Sequence, residues 1–247
     1  MITECIRYRV PKARAAAFEE ACRRAAVALQ VSPLCRTYDL ERCEEDPESY
    51  LLRITWTSTE DGHSGFRERE EFRDVVAEVE GQASGVDEAR TYRPVAIVPS
   101  LYDWAGGAEA FEALFTAFYD RVAEDPVLAP VFAGMNPAHP RHVAAWLGEV
   151  LGGPKVYSER HGGHPHMVSR HVGRALTEQQ RRAWVTLLLD TADEVGLPGD
   201  AEFRSAFAGY LEWGTRMALM FSQPGVDAAV PEPMPGWGWG EVRPWPR

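Results

Sequence analysis

The feature that most constrains this chain is a change of hydrophobic period near residue 99. Before it, short runs with apolar residues at every second position alternate with helical stretches; after Ser100 apolar residues recur every third and fourth position. A period of two belongs to a half-buried strand, and a period near 3.6 to one stripe of a helix. The first part reads as strand, helix, strand, strand, helix, strand. Ile2, Ile6, Tyr8 and Val10 share one face of the first strand, which Pro11 ends. A helix follows over 13–29, a strand over 36–42, a strand facing inward through Tyr50, Leu52, Ile54 and Trp56, a charged helix over about 64–80, and a last strand over 89–98. That order is the split β-α-β pattern of a ferredoxin-like domain.

Four helical stripes make up the second part: Phe111 to Val122, Val143 to Leu151, Trp184 to Ala192, and Phe203 to Phe221, with glycine pairs between helices. The expected organisation is therefore an α+β domain over 1–98, an all-α domain over 99–222, and a tail over 223–247. The tail is rich in Pro and Gly, yet its Trp237, Trp239 and Trp245 predict that part of it packs on the helical domain.

The net charge of -11 disfavours binding to a phosphate backbone, so nucleic acid is not an expected partner. Without an apolar run of 18 residues or a basic, apolar leader, neither a membrane span nor a signal peptide is expected, and a cytoplasmic location is. Cys5, Cys22, Cys35 and Cys43 form no C-x-x-C pair and read as reduced, partly buried thiols.

Six of the seven histidines fall between His139 and His171. Three readings stay open on the residues alone. Zinc is disfavoured, because His161, His164 and His166 sit in a Gly/Pro-rich stretch without a nearby Cys or a His-Glu-x-x-His pattern. Surface or capping roles account for any one histidine taken singly. The third reading is one axial ligand to a haem in an apolar pocket lined from Phe115, Phe118, Phe132, Leu147 and Trp184; His171, just ahead of the helix carrying Trp184, is the best placed.

The pieces Tyr102-Asp103-Trp104-Ala105-Gly106-Gly107, Phe118-Tyr119-Asp120-Arg121-Val122, Leu147 to Pro154 and Tyr157-Ser158-Glu159 come in a fixed order. Gly163-His164-Pro165, Arg170-His171, Ala183-Trp184 and Met234-Pro235-Gly236-Trp237-Gly238-Trp239 follow. Together they resemble the group II truncated haemoglobins across the helical half. The resemblance implies a two-over-two helical sandwich around haem b, with His171 as the proximal ligand to iron. It implies Tyr119 as the distal tyrosine, Trp184 as the tryptophan on the helix after the proximal one, Phe132 as the aromatic wedge against the haem, and Leu147 on the distal wall. It also implies that the Tyr119 hydroxyl and Trp184 indole N–H act as donors to a bound diatomic ligand, O2, NO or CO. Tyr157, His166 and Arg170 are the residues placed to reach the propionates.

The N-terminal half resembles the antibiotic-biosynthesis monooxygenase domains, through Arg7-Tyr8-Arg9-Val10, Phe18-Glu19-Glu20-Ala21, Cys35-Arg36-Thr37-Tyr38, Glu45-Asp46-Pro47 and Ile54-Thr55-Trp56. That resemblance implies a dimeric α/β barrel. Active members commonly use an Asn and a Trp, and haem-degrading ones a His. Residues 1–98 hold no Asn, and their one histidine is His63; Trp56 is the remaining candidate catalytic residue. A pairing module that forms a homodimer is thus the expected role. Enzymatic activity is left open: a haem protein handling oxygen, nitric oxide or peroxide with an electron donor, or a monooxygenase whose N-terminal barrel acts on an aromatic or quinol metabolite, with the globin as oxygen supplier or sensor.

Overall fold

The computed structural model describes residues 2–57, 66–226 and 234–240, and the chain divides into two compact units, Met1–Val95 and Ala96–Arg247. His63 and Trp245 lie outside the described residues.

In the first unit β1 (Ile2–Arg9), α1 (Ala15–Val31), β2 (Cys35–Arg42), β3 (Ser49–Trp56), α2 (Arg73–Gln82) and β4 (Gly85–Tyr92) follow the expected order. The strands form an antiparallel sheet ordered β2-β3-β1-β4, with Ile6 opposite Leu52 on one side and Ala89 on the other. This register points Ile6, Tyr8, Leu52, Ile54 and Trp56 to the face that carries the helices. Phe18, Ala21, Ala25 and Leu29 of α1 are buried there, and the small alanines let the helix approach the sheet. The Phe18 ring lies between Tyr8 and Tyr50, at 5.3 and 5.1 Å.

Two expected boundaries differ. The last strand is Gly85–Tyr92, not 89–98: Ser84 N–H bonds to the Arg9 carbonyl and starts the pairing with β1, which ends at Thr3–Tyr92. Val95 and Ile97, which continue the alternation in sequence, are 81% and 91% exposed and pair with nothing. The charged helix begins at Arg73, after a 3-10 turn over Glu70–Phe72. Phe66 is held instead by the Glu4 carboxylate, which accepts its N–H at 2.6 Å.

Glu4 is a buried carboxylate on the core side of β1. It also accepts the Trp56 indole N–H at 3.2 Å, and the Arg69 guanidinium covers the Trp56 ring at 4.8 Å. Desolvation outweighs these bonds and raises the Glu4 pKa. A folded pKa above the unfolded one gives stability that is present below the unfolded value and lost as pH rises through the folded one. Glu4→Gln removes this loss, so thermal melts of variant and wild type from pH 4 to 7 should shift steadily in the variant's favour.

In the second unit α3 (Leu101–Ala105), α4 (Gly107–Glu124), α5 (His139–Val150), α6 (Val156–His161), α7 (Gly163–Ser169), α8 (Glu178–Glu194) and α9 (Ala201–Phe221) build an all-α domain. Ser100 with Asp103 and Thr177 with Gln180 form capping boxes at α3 and α8, and Asp200 caps α9. Helix α4 packs on α5 and α8, and α8 on α9. Phe111, Leu114, Phe115, Leu188, Phe203 and Phe207, each no more than 1% exposed, fill the centre. A side chain at Gly153 would meet the Tyr102 ring and the Gly148 carbonyl at 2.8 Å, so only glycine lets this turn lie against α3 and the end of α5.

The described part of the tail lies on the helical unit. The Trp237 backbone N–H bonds to the Val150 carbonyl at 2.8 Å, and its indole N–H to the Ala206 carbonyl at 2.8 Å. Trp239 donates to the Pro99 carbonyl and sits edge-on to Trp104.

Candidate functional site

The turn after α7 carries His171, half-buried in the helical unit. Its Nδ1 lies 2.9 Å from the Met167 carbonyl. A carbonyl accepts only, so Nδ1 bears the proton and Nε2 is left with its lone pair. Burial lowers the pKa of the ring, which favours the neutral imidazole; the Met167 bond acts the other way and the Arg174 charge with burial. A neutral, oriented imidazole whose second nitrogen is bonded to the backbone is the form that ligates a metal.

Helix α4 presents Tyr119 beside Phe115 and Phe118, all buried because they fall on its inward stripe. The Tyr119 hydroxyl lies 2.9 Å from His139 Nε2, and its ring is edge-on to Phe132 at 5.4 Å. Trp184 of α8 is edge-on to Phe118 at 5.2 Å, and its indole acts on the Tyr119 hydroxyl in the direction opposite to burial. Between the Tyr119 hydroxyl and His139 Nε2 the imidazole tautomer sets which atom donates. Burial pushes the Tyr119 pKa far up, which keeps the hydroxyl protonated.

His139 is the site residue that the sequence did not single out. It is the first residue of α5, with Pro140 next, and stands 20 positions from Tyr119 along the chain. The proline signals the helix start, but no local pattern marks a histidine there as the partner of a tyrosine on another helix. Burial pushes its pKa down to about 4, helped by the nearby charges of His142, Arg170, His171 and Arg174.

The structure brings Phe115, Phe118, Tyr119, Phe132 and Trp184 into one aromatic cluster. Leu147 is buried in the same core but lies two turns of α5 from His139, about 12 Å along the axis. Val143, half-buried one turn from His139, lies nearer on that helix. Tyr157 is buried against Trp146, with its ring 5.2 Å from His161 and 6.4 Å from His166; burial takes its hydroxyl pKa up to about 12. His166 and Arg170 are exposed, and the Arg170 charge acts on Tyr157. In the other unit Trp56 is 2% exposed, bonded to Glu4 and covered by Arg69, the setting of a core residue.

No group of three or more His, Cys, Asp or Glu among the described residues is placed to hold a metal ion alone. A structural zinc needs four protein ligands; a single neutral imidazole in a unit with an aromatic core instead suits an iron whose remaining ligands a macrocycle would supply.

A bacterial-like globin model matches residues 100–205, and an antibiotic biosynthesis monooxygenase model matches residues 1–78. The group 2 truncated hemoglobin YjbI of Bacillus subtilis is 37% identical over 110 residues, 44% of this chain and 81% of that protein. The group 1 truncated hemoglobin GlbN of Nostoc sp. (strain MUN 8820) is 38% identical over 89 residues, 31% of this chain and 75% of that protein. The solved truncated oxygen-avid haemoglobin from Bacillus subtilis aligns at 34% identity over 49% of this chain and 99% of its own, with a TM-score of 0.44. Through its helical unit the chain belongs to the truncated haemoglobins. Its curated relatives include members of both group 1 and group 2.

The depressed His139 pKa has a measurable consequence. Between its ordinary value of 6.5 and about 4 the unfolded chain binds a proton that the folded chain does not. Stability contributed by this residue is therefore present above 6.5 and lost as pH falls through that window. His139→Leu should flatten the acid side of the stability profile, read by urea unfolding from pH 7 to 4; an unchanged slope would remove His139 from the buried network.

Proposed function

We propose that the helical unit binds a haem through Nε2 of His171 and holds oxygen or a related diatomic gas, NO or CO, on the side of Tyr119 and Trp184. The observation that carries this reading is the His171 imidazole itself: neutral, fixed by Met167, and set in a unit lined with aromatic side chains. A bound haem supplies an iron with one position open to a diatomic ligand.

The chain's own groups do the rest. Donation from Nδ1 to the Met167 carbonyl fixes the ring tautomer and strengthens Nε2 as a ligand. Phe115, Phe118 and Phe132 exclude water and keep the local dielectric low, so each hydrogen bond to a partly negative ligand is stronger than in water. The Trp184 N–H and the Tyr119 hydroxyl are the donors available there. In the geometry observed the Tyr119 hydroxyl is engaged by His139, so it must turn from that partner to meet a ligand. Tyr157, His166 and Arg170 are assigned to the propionates, in keeping with their shared position between α6 and the turn after α7.

Oxidase, peroxidase or nitric-oxide-consuming chemistry would also need an external electron donor, whereas ligand binding needs none; binding is the reading that these residues support best. Oxidation of an aromatic metabolite by the N-terminal unit finds less support, because Trp56 is sealed between Glu4 and Arg69. We assign that unit to pairing with a second copy, which light scattering of the full chain would test.

Haem-supplied wild-type protein should show a Soret band, and His171→Ala should lose it. Trp184→Phe should load haem normally and release oxygen faster, on the order of tenfold, because one donor is lost while most of the bulk stays. Unchanged release in stopped-flow measurements would take the indole out of ligand contact.

A further inference from the structure

His171 stands at the head of a segment with little support of its own. Residues 170–176 form turns without regular structure, and Val172, Gly173, Arg174 and Ala175 are exposed. The upstream bonds run back into α7: His171 N–H to the Val168 carbonyl at 2.9 Å and Nδ1 to Met167. Downstream, the segment is tied to the end of α9. Ala175 N–H donates to the Ser222 carbonyl at 2.8 Å, and Leu176 N–H to the Ser222 hydroxyl at 3.1 Å. The Gln223 side-chain amide donates to the Leu176 carbonyl at 3.1 Å and to the Ser222 hydroxyl at 3.0 Å. The Ser222 hydroxyl in turn donates to the Leu219 carbonyl at 2.7 Å, and its residue is 0% exposed.

Ala175 has φ of 48°, the left-handed region, and is the one non-glycine residue among those described that adopts it. Such a conformation persists where the surroundings hold it, and here the bond to Ser222 does so. A buried hydroxyl with a full set of partners, bonded to Leu176 while the Ser222 carbonyl holds the strained Ala175, is more than a helix terminus needs. The last carbonyls of a helix could equally be satisfied by water.

We propose that Ser222, seconded by Gln223, is a positioning residue for His171: the clamp on Ala175 and Leu176 sets the orientation of the proximal imidazole and thereby its bond to iron. This inference rests on the haem reading above. It makes the C-terminal end of α9 a control point for ligand affinity although it bears no group that touches haem or gas.

Full-length Ser222→Ala and Gln223→Ala proteins, loaded with haem, test it against Thr215→Ala. Thr215, also of α9, donates to the Leu211 carbonyl of its own helix, accepts from Arg181 of α8, and has no contact with the turn among the bonds described. In Ser222→Ala the Leu176 amide should exchange faster, roughly five- to tenfold for the loss of its one bond; Gln223→Ala removes the bond to the Leu176 carbonyl instead. The iron–histidine stretching band of the ferrous, ligand-free protein should shift and broaden, and haem transfer to an acceptor globin should speed up. Thr215→Ala should leave the band in place. If Ser222→Ala fails to fold, Gln223→Ala, at a half-buried residue, still gives the band and haem-transfer readings. A wild-type band retained in the clamp variants, with only the amide exchange faster, overturns the inference and reduces the clamp to loop stability. Wild-type protein that shows no Soret band overturns the haem reading and this inference together.

Discussion

The bond from His171 to the Met167 carbonyl decides what the helical unit offers to a metal. A histidine free to rotate presents either nitrogen, in either tautomer, and is protonated near neutral pH. Bonded to a backbone acceptor and partly withdrawn from water, this one presents a single unprotonated nitrogen in a fixed direction. The other features of the site gain meaning from that asymmetry. Aromatic side chains on α4 and α8 exclude water, and a short chain of donors and acceptors gathers at Tyr119. If the imidazole were turned or charged, the same walls would be ordinary core.

At Tyr119 the hydroxyl already has a protein partner, His139 Nε2 at 2.9 Å. Under the haem reading proposed above, a ligand would compete with His139 for the Tyr119 hydroxyl, which would tie ligand strength to a residue on a third helix.

How far the sequence foretold this varies with the range of the interactions. The strand and helix order of the first unit was legible because Ile6, Tyr8, Leu52 and Ile54 alternate cleanly, and the helical stripes of the second because Phe111, Phe115 and Phe118 repeat at helical spacing. The last strand was misplaced because Val95 and Ile97 alternate like strand residues, whereas pairing with β1 starts at Ser84 and is exhausted by Tyr92. The start of α2 was misjudged because Glu4, more than 60 positions away, claims the Phe66 N–H. For the site, His171, Tyr119 and Trp184 stood out through resemblance to a family. His139, Ser222 and Gln223 did not, since their significance lies in contacts between distant segments that leave no periodic trace.

The strap formed by Trp237 has a practical side. Its backbone N–H takes up the carbonyl of Val150, the last residue of the helix that begins with His139, while its indole leans on Ala206 in the middle of α9. One residue beyond the helices thus finishes the far end of one and seals the flank of another. Anyone cutting the chain down to its helical half would do well to keep residues through 240. A fragment stopped at the end of α9 would leave a carbonyl bare at one tip of α5 and a wet tyrosine face at Tyr210, with the consequences felt at the opposite tip.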